Sequence, residues 1–199
     1  MRNRSWMVLV AGLAIVVAGI SYHTANSKPG DAEKSPAKHA MEASKVTMAV
    51  AMVEGLGEHR VKGKVTFTQK GDGVEIKGEF TGLKPGEHGF HIHEFGDCSM
   101  ADGKCAGGHF NPNGGKHAGP EDPGRHAGDL GNLKADSTGN ASFEMVDTML
   151  SLSGANSVIG RSVIIHAKPD DMKTQPSGDS GDRIGCGVIG IADPKVQSH

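Results

Sequence analysis

Histidine is unusually dense in the middle of this chain, and its spacing there is that of metal ligands. His91 and His93 form an H-x-H pair, and His109 follows on a glycine-rich turn. Neutral imidazole is the commonest protein ligand for zinc and copper. In a β-strand, residues two apart point to the same face about 6.6 Å apart, so the pair can bind one ion from rigid backbone. An H-x-H pair alone is weak evidence, but the dense group around it predicts a metal site.

A second group of candidate ligands completes this region. It supplies three imidazoles and one carboxylate, from His109, His117, His126 and Asp129. Four such ligands close a tetrahedral shell, which is typical of structural zinc.

Three histidines then form a separate, nitrogen-rich set with room for an open coordination position: His91, His93 and His166. All-imidazole ligation suits copper, which stands at the top of the divalent affinity order. His109 lies between the two clusters in the sequence and is a candidate for a shared ligand. The spacing alone does not establish a bridge.

The elements that must position these residues are predicted to be strands. From Lys45 onward the apolar residues recur mostly with a period of two, and 30 glycines with only one Trp suit an all-β fold with many turns. Two long stretches, 95–133 and 168–182, lack a regular pattern and are predicted to be functional loops. The expected fold is a Greek-key β-barrel or sandwich of about eight antiparallel strands. Candidate strands are 46–53, 61–68, 74–80, 87–94, 140–146, 161–167 and 184–191.

The N-terminus predicts export. Arg2 and Arg4 precede an apolar run over 6–20, the pattern of a secretory signal peptide. The run is short for a membrane span, which needs roughly 20 apolar residues. Because its cleavage site is ambiguous, residues 1–22 are predicted to be either a signal peptide or an N-terminal membrane anchor. The expected location is periplasmic or extracellular, with a membrane tether if the segment stays uncleaved.

The remaining chain divides into a linker and one domain. Residues 23–44 are polar, lack a hydrophobic period and are predicted to be a disordered linker. Residues 45–195 are long enough for a single well-buried core. The formal net charge is only −2 and no basic stripe is evident, so no nucleic-acid partner is expected.

Several motifs resemble the signature of the copper/zinc superoxide dismutase family. The resemblance runs in the family's order from about Lys45 to Asp193. The motifs are Gly89-Phe90-His91-Ile92-His93-Glu94-Phe95-Gly96-Asp97, Gly108-His109-Phe110-Asn111-Pro112, Lys116-His117-Ala118-Gly119-Pro120, Arg125-His126-Ala127-Gly128-Asp129-Leu130-Gly131 and Gly185-Cys186-Gly187-Val188-Ile189-Gly190.

The resemblance implies which residues hold which metal. His109 would bridge the two ions and carry a proton in catalysis. Arg183 would guide the substrate, and Asp170 would link a copper ligand to a zinc ligand, although an ordinary loop acid is the alternative for Asp170. His88 is left out of both sets. The implied copper ligands are His91, His93, His109 and His166, and the implied zinc ligands are His109, His117, His126 and Asp129.

Three cysteines leave one without a partner. Cys186 matches the family's C-terminal disulfide cysteine, and its partner is Cys98 or Cys105. Bacterial-type members carry this cysteine directly after the Gly-Asp of the first motif, which implies a Cys98–Cys186 disulfide. Cys105 would then be a free thiol or a surface partner.

The implied function is dismutation of superoxide to oxygen and hydrogen peroxide by a redox-cycling copper bridged to a structural zinc. The alternative is an exported copper/zinc-binding module for buffering or storage, without catalysis. The presence of both His166 and Arg183 favours the enzyme, and Asp129 disfavours a zinc hydrolase because it closes the zinc set. The segments Phe95-Gly96 and Gly187-Val188-Ile189-Gly190-Ile191-Ala192 resemble members that dimerise, which favours a two-fold homodimer.

Overall fold

The computed structural model describes residues 45–195, in which eight strands form one antiparallel sheet. The predicted leader or anchor (1–22) and the predicted linker (23–44) lie outside the described residues. Within residues 45–195, no helix is long and apolar enough to span a membrane. The strands are β1 (Met48–Gly55), β2 (Lys62–Lys70), β3 (Gly73–Thr81), β4 (Gly86–His93), β5 (Asp129–Ala135), β6 (Ala141–Asp147), β7 (Ser162–His166) and β8 (Arg183–Ile191).

The sheet curls into a nearly closed barrel. Its strand order is β5-β4-β7-β8-β1-β2-β3-β6, and the edge strands β5 and β6 contact each other. The pairs β4–β7, β3–β6 and β8–β1 join strands that are distant in sequence, as the long connections of a Greek key do. The expectation of an all-β fold of about eight antiparallel strands is therefore confirmed.

Alternating side chains explain why these segments form strands around one core. In β1, Ala49, Ala51 and Val53 point inward, whereas Met52 is 60% exposed. Phe80 and Phe90 meet edge to face across the interior, with ring centroids 5.5 Å apart. Burying a large apolar side chain of this kind contributes roughly 1.5–3 kcal/mol. The barrel is thus a rigid support for the residues at its rim.

One predicted boundary is wrong. The sequence predicts no regular structure over 95–133, but β5 begins inside this stretch at Asp129 and pairs with β4. The strand escapes the period-two pattern because a register shift interrupts the pairing and Gly131 has a φ of +83°. Such a bulge bends the strand. Its consequence is functional, since the pairing sets Asp129 directly opposite His91.

A buried ion pair fastens the long ligand loop to the barrel. The Arg125 guanidinium binds the carboxylate of Asp147 at the end of β6. It also donates to the carbonyls of Pro120 at 2.9 Å, His126 at 2.8 Å and Ala127 at 3.1 Å. One side chain therefore fixes the backbone on both sides of His126.

A disulfide fastens the other end of the same loop. Cys98 and Cys186 are bonded; their Cα atoms are 5.8 Å apart and the residues are 88 positions apart in sequence. This is the pairing that the resemblance implies, and Cys105 is a free thiol. Cys186 lies in β8, so the bond ties the start of the ligand loop to the strand that begins with Arg183.

Cys98→Ser in a Cys105→Ser background should lower the free energy of unfolding of the metal-free protein by about 2–5 kcal/mol. The bond closes a long loop and so restricts the unfolded chain. Urea denaturation measures the change, with Cys105→Ser alone as the matched control, because it retains the disulfide and removes the spare thiol. Equal stability of the two proteins would show that the bond does not anchor the loop.

Candidate metal centre

Barrel strands and one loop bring the predicted ligands together at the rim. Strand β4 carries His91 and His93, β5 starts at Asp129 and β7 ends at His166. The backbone of His109 bridges to that of His93, which anchors the loop beside β4. None of the seven side chains is more than 9% exposed. Their ligand atoms fall into two groups, each with all atoms within 4.8 Å of one another: His91, His93, His109 and His166, and His109, His117, His126 and Asp129.

In the first group, here called the four-histidine set, three rings are each held by a hydrogen bond from one ring nitrogen. A carbonyl or carboxylate oxygen can only accept a hydrogen bond, so each ring donates from one nitrogen and keeps its lone pair on the other. This is the arrangement that orients histidine ligands in metal sites. The bonds are His91 Nε2 to Asp170 Oδ2 at 2.7 Å, His93 Nδ1 to Gly107 O at 3.0 Å and His166 Nδ1 to Gly181 O at 3.1 Å.

The other nitrogens of this set lie close together, and two of them have no hydrogen-bond partner among the described residues. Within residues 45–195, His91 Nδ1 and His109 Nε2 are buried and have no hydrogen bond. The Nε2 atoms of His93 and His166 lie 3.4 Å apart. Buried polar atoms are costly unless they are satisfied, so lone pairs gathered in this way fit a metal ion. An all-nitrogen donor set fits copper.

The second group, the three-histidine–aspartate set, converges on one carboxylate oxygen. Asp129 Oδ1 lies 2.6 Å from His109 Nδ1, 3.1 Å from His117 Nδ1 and 3.3 Å from His126 Nδ1. The last two nitrogens are close to the oxygen but lack hydrogen-bond geometry, and they are otherwise unpartnered among the described residues. Three imidazoles and one carboxylate fit zinc.

Asp170 connects the two sets from the side opposite His109. Its Oδ2 faces His91 Nε2 at 2.7 Å and its Oδ1 faces His117 Nε2 at 2.9 Å. Gly178 lets the chain pass directly over this link, because a Cβ there would come 1.8 Å from Asp170 Oδ1. The structure thus places Asp170 between a member of each set.

His117 differs in its protonation from the rings of the four-histidine set. Burial lowers the pKa of His91 to about 4 and that of His166 to about 3, and it holds the pKa of His93 well below its usual value. These rings are neutral at neutral pH and ready to donate lone pairs. Burial also lowers the pKa of His117, but the nearby carboxylates of Asp129 and Asp170 outweigh it and raise the value to about 9. Metal binding at His117 would therefore release a proton.

Arg183 stands at the wall of the cavity that opens onto the histidines. Its Nη1 donates to Gly103 O and its Nη2 to Gly107 O, both at 2.6 Å. Burial and the neighbouring histidines are the larger causes of the low pKa values of His93 and His166, and the positive charge of Arg183 lowers these values further. The cavity has a volume of about 390 Å³ and is lined by His93, Gly108, His109, Asn111, His126, His166, Pro176, Ser177, Gly181 and Arg183.

Two supporting residues escaped the sequence reasoning. The His88 ring lies outside both sets and joins the carbonyl oxygens of His166 and Lys84, each at 2.8 Å. His88 is three residues from His91, and residues an odd number apart in a strand point to opposite faces. This spacing already indicates that His88 does not join the ligands on β4. Asn132 donates to Asp170 O at 2.9 Å and accepts from Asp170 N at 2.7 Å. A Gly-Asn pair is typical of a turn, so nothing in the sequence indicated this role.

Comparison with known proteins agrees with this geometry. The family model for copper/zinc superoxide dismutase matches residues 61–189. The crystal structure of the clock protein EA4 is also similar, with 40% sequence identity and a TM-score of 0.69, over 75% of this chain and 97% of that one. The family match spans well over half of the chain and includes both ligand sets, Arg183 and the disulfide. This chain therefore belongs to the copper/zinc superoxide dismutase family.

Proposed function

We propose that this protein converts superoxide to oxygen and hydrogen peroxide. Copper would bind the four-histidine set and zinc the three-histidine–aspartate set. The observation that carries the proposal is that His109 belongs to both sets: its Nδ1 faces Asp129, and its Nε2 is buried without a hydrogen-bond partner among the described residues. When bound, copper supplies the one-electron oxidation and reduction that dismutation needs, and zinc, which has no redox chemistry, supplies charge and structure.

His109 is the residue that would carry a proton. In dismutation, one superoxide gives up an electron, and a second takes up that electron and two protons to become hydrogen peroxide. His109 Nε2 is unpartnered within the described residues and His109 lines the cavity, so this nitrogen can hold a proton and give it to the reduced species. Water supplies the second proton. Asp129 Oδ1, 2.6 Å from Nδ1, would join that nitrogen as a ligand of the zinc, so the ring would keep its orientation.

Arg183 would bind and orient the anionic substrate. Two carbonyls fix its guanidinium at the cavity wall, so little side-chain freedom is lost when an anion arrives. A fixed positive charge at a cavity wall raises the local concentration of a small anion and the rate of encounter. Holding a metal does not require such a group, and its presence therefore favours catalysis over metal buffering or storage.

Purified protein loaded with one equivalent each of copper and zinc should catalyse the dismutation of superoxide. Metal content is measured together with the rate of superoxide decay, and zinc-only protein is the control that should lack activity. Copper bound at one equivalent without activity would falsify the enzyme proposal and leave the metal-buffering alternative.

Arg183→Ala should slow superoxide decay about tenfold or more and weaken the dependence of the rate on ionic strength, because the anion loses its fixed positive partner. Copper content should stay at the parent level, since Arg183 belongs to neither ligand set. Arg183→Lys is the matched control, because it keeps the charge but not the guanidinium fork. A parent-like rate in Arg183→Ala would remove Arg183 from substrate guidance.

A further inference from the structure

Gln175 makes an unusual contact from the second long loop. Its side-chain Oε1 accepts a hydrogen bond from the backbone N–H of His117 at 2.9 Å, and its Nε2 donates to the carbonyl of the same residue at 2.7 Å. The amide therefore pairs with His117 as a neighbouring strand would. Two bonds to one residue fix the orientation of its backbone, which a single bond cannot do.

His117 has no substitute for this support. Across residues 45–195, Gln175 is the only hydrogen-bond partner of the His117 backbone N–H and C=O. The ring is held separately, through Nε2 to Asp170. With backbone and ring both fixed, Nδ1 is the atom left to point at Asp129, 3.1 Å away.

The loop that carries Gln175 is itself internally braced. Asp171 N donates to Gly178 O at 2.9 Å, and Gly178 N donates to Thr174 O at 2.7 Å. The Asp171 carboxylate also accepts from Thr174 N at 2.8 Å and from Thr174 Oγ1 at 2.6 Å. Gln175 therefore reaches His117 from a preformed turn, although the residue lies on the surface.

We propose that Gln175 is a positioning residue for the three-histidine–aspartate set and slows the release of zinc from it. This inference rests on the zinc assignment of the proposed function. By fixing the His117 backbone, the Gln175 amide keeps Nδ1 aimed at the ion, and its loss lets that ligand swing away. Partners that orient a metal ligand typically contribute 10- to 100-fold in affinity.

The test compares zinc release from zinc-loaded Gln175→Ala, Gln175→Glu and parent protein into an excess of a chromophoric chelator. Gln175→Ala should release zinc about tenfold faster than the parent. Gln175→Glu should also be faster, because a carboxylate has no N–H for the His117 carbonyl. Gln69→Ala is the matched control: it removes two bonds from a side-chain amide to backbone carbonyls, of Gly71 and Gly73, on the β2–β3 hairpin. It should release zinc at the parent rate.

Melting temperatures of the metal-free proteins separate positioning from general destabilisation. If Gln69→Ala accelerated release as much as Gln175→Ala, or if neither Gln175 variant differed from the parent, the positioning role would be overturned. A poorly folded Gln175→Ala leaves Gln175→Glu, which has the same size, to decide the comparison. A parent protein that takes up no zinc would instead overturn the zinc assignment, and this inference with it.

Discussion

The imidazole of His109 belongs to two ligand sets at once, and the arrangement of the rim depends on holding this ring in place. Its Nδ1 is 2.6 Å from Asp129, the first residue of β5, and the same ring also belongs to the set carried by β4 and β7. Asp170 forms a second link between the two sets, through hydrogen bonds with His91 and His117. Movement of the His91, His109 or His117 ring therefore disturbs both sets.

Without metal, this site lowers the stability of the folded protein. Four of the converging ring nitrogens are buried and lack a hydrogen-bond partner within residues 45–195, so they cost free energy until an ion satisfies them. The loops are accordingly fastened at separate points, by the Cys98–Cys186 disulfide and by the buried Arg125–Asp147 pair. The unpaired buried nitrogens of the functional site are thus compensated by stabilising contacts elsewhere in the structure.

Sequence patterns predicted those parts of the molecule that depend on local periodicity or on residue type. Alternation located the other strands, and the spacing of His91 and His93 placed two ligands on β4. β5 was missed because its bulge hides the alternation. The Gln175–His117 contact spans 58 positions and is set by how two loops pack, so no local pattern encodes it.

The shared ring can be tested directly by filling both sets with copper and recording electron paramagnetic resonance. If His109 bridges the ions, their spins couple through the imidazole, and the signal falls well below that of two isolated copper ions. His109→Ala, loaded with the same amount of copper, should restore uncoupled intensity. Full intensity from two independent ions in the parent protein would contradict the bridge and, with it, the central role given to His109.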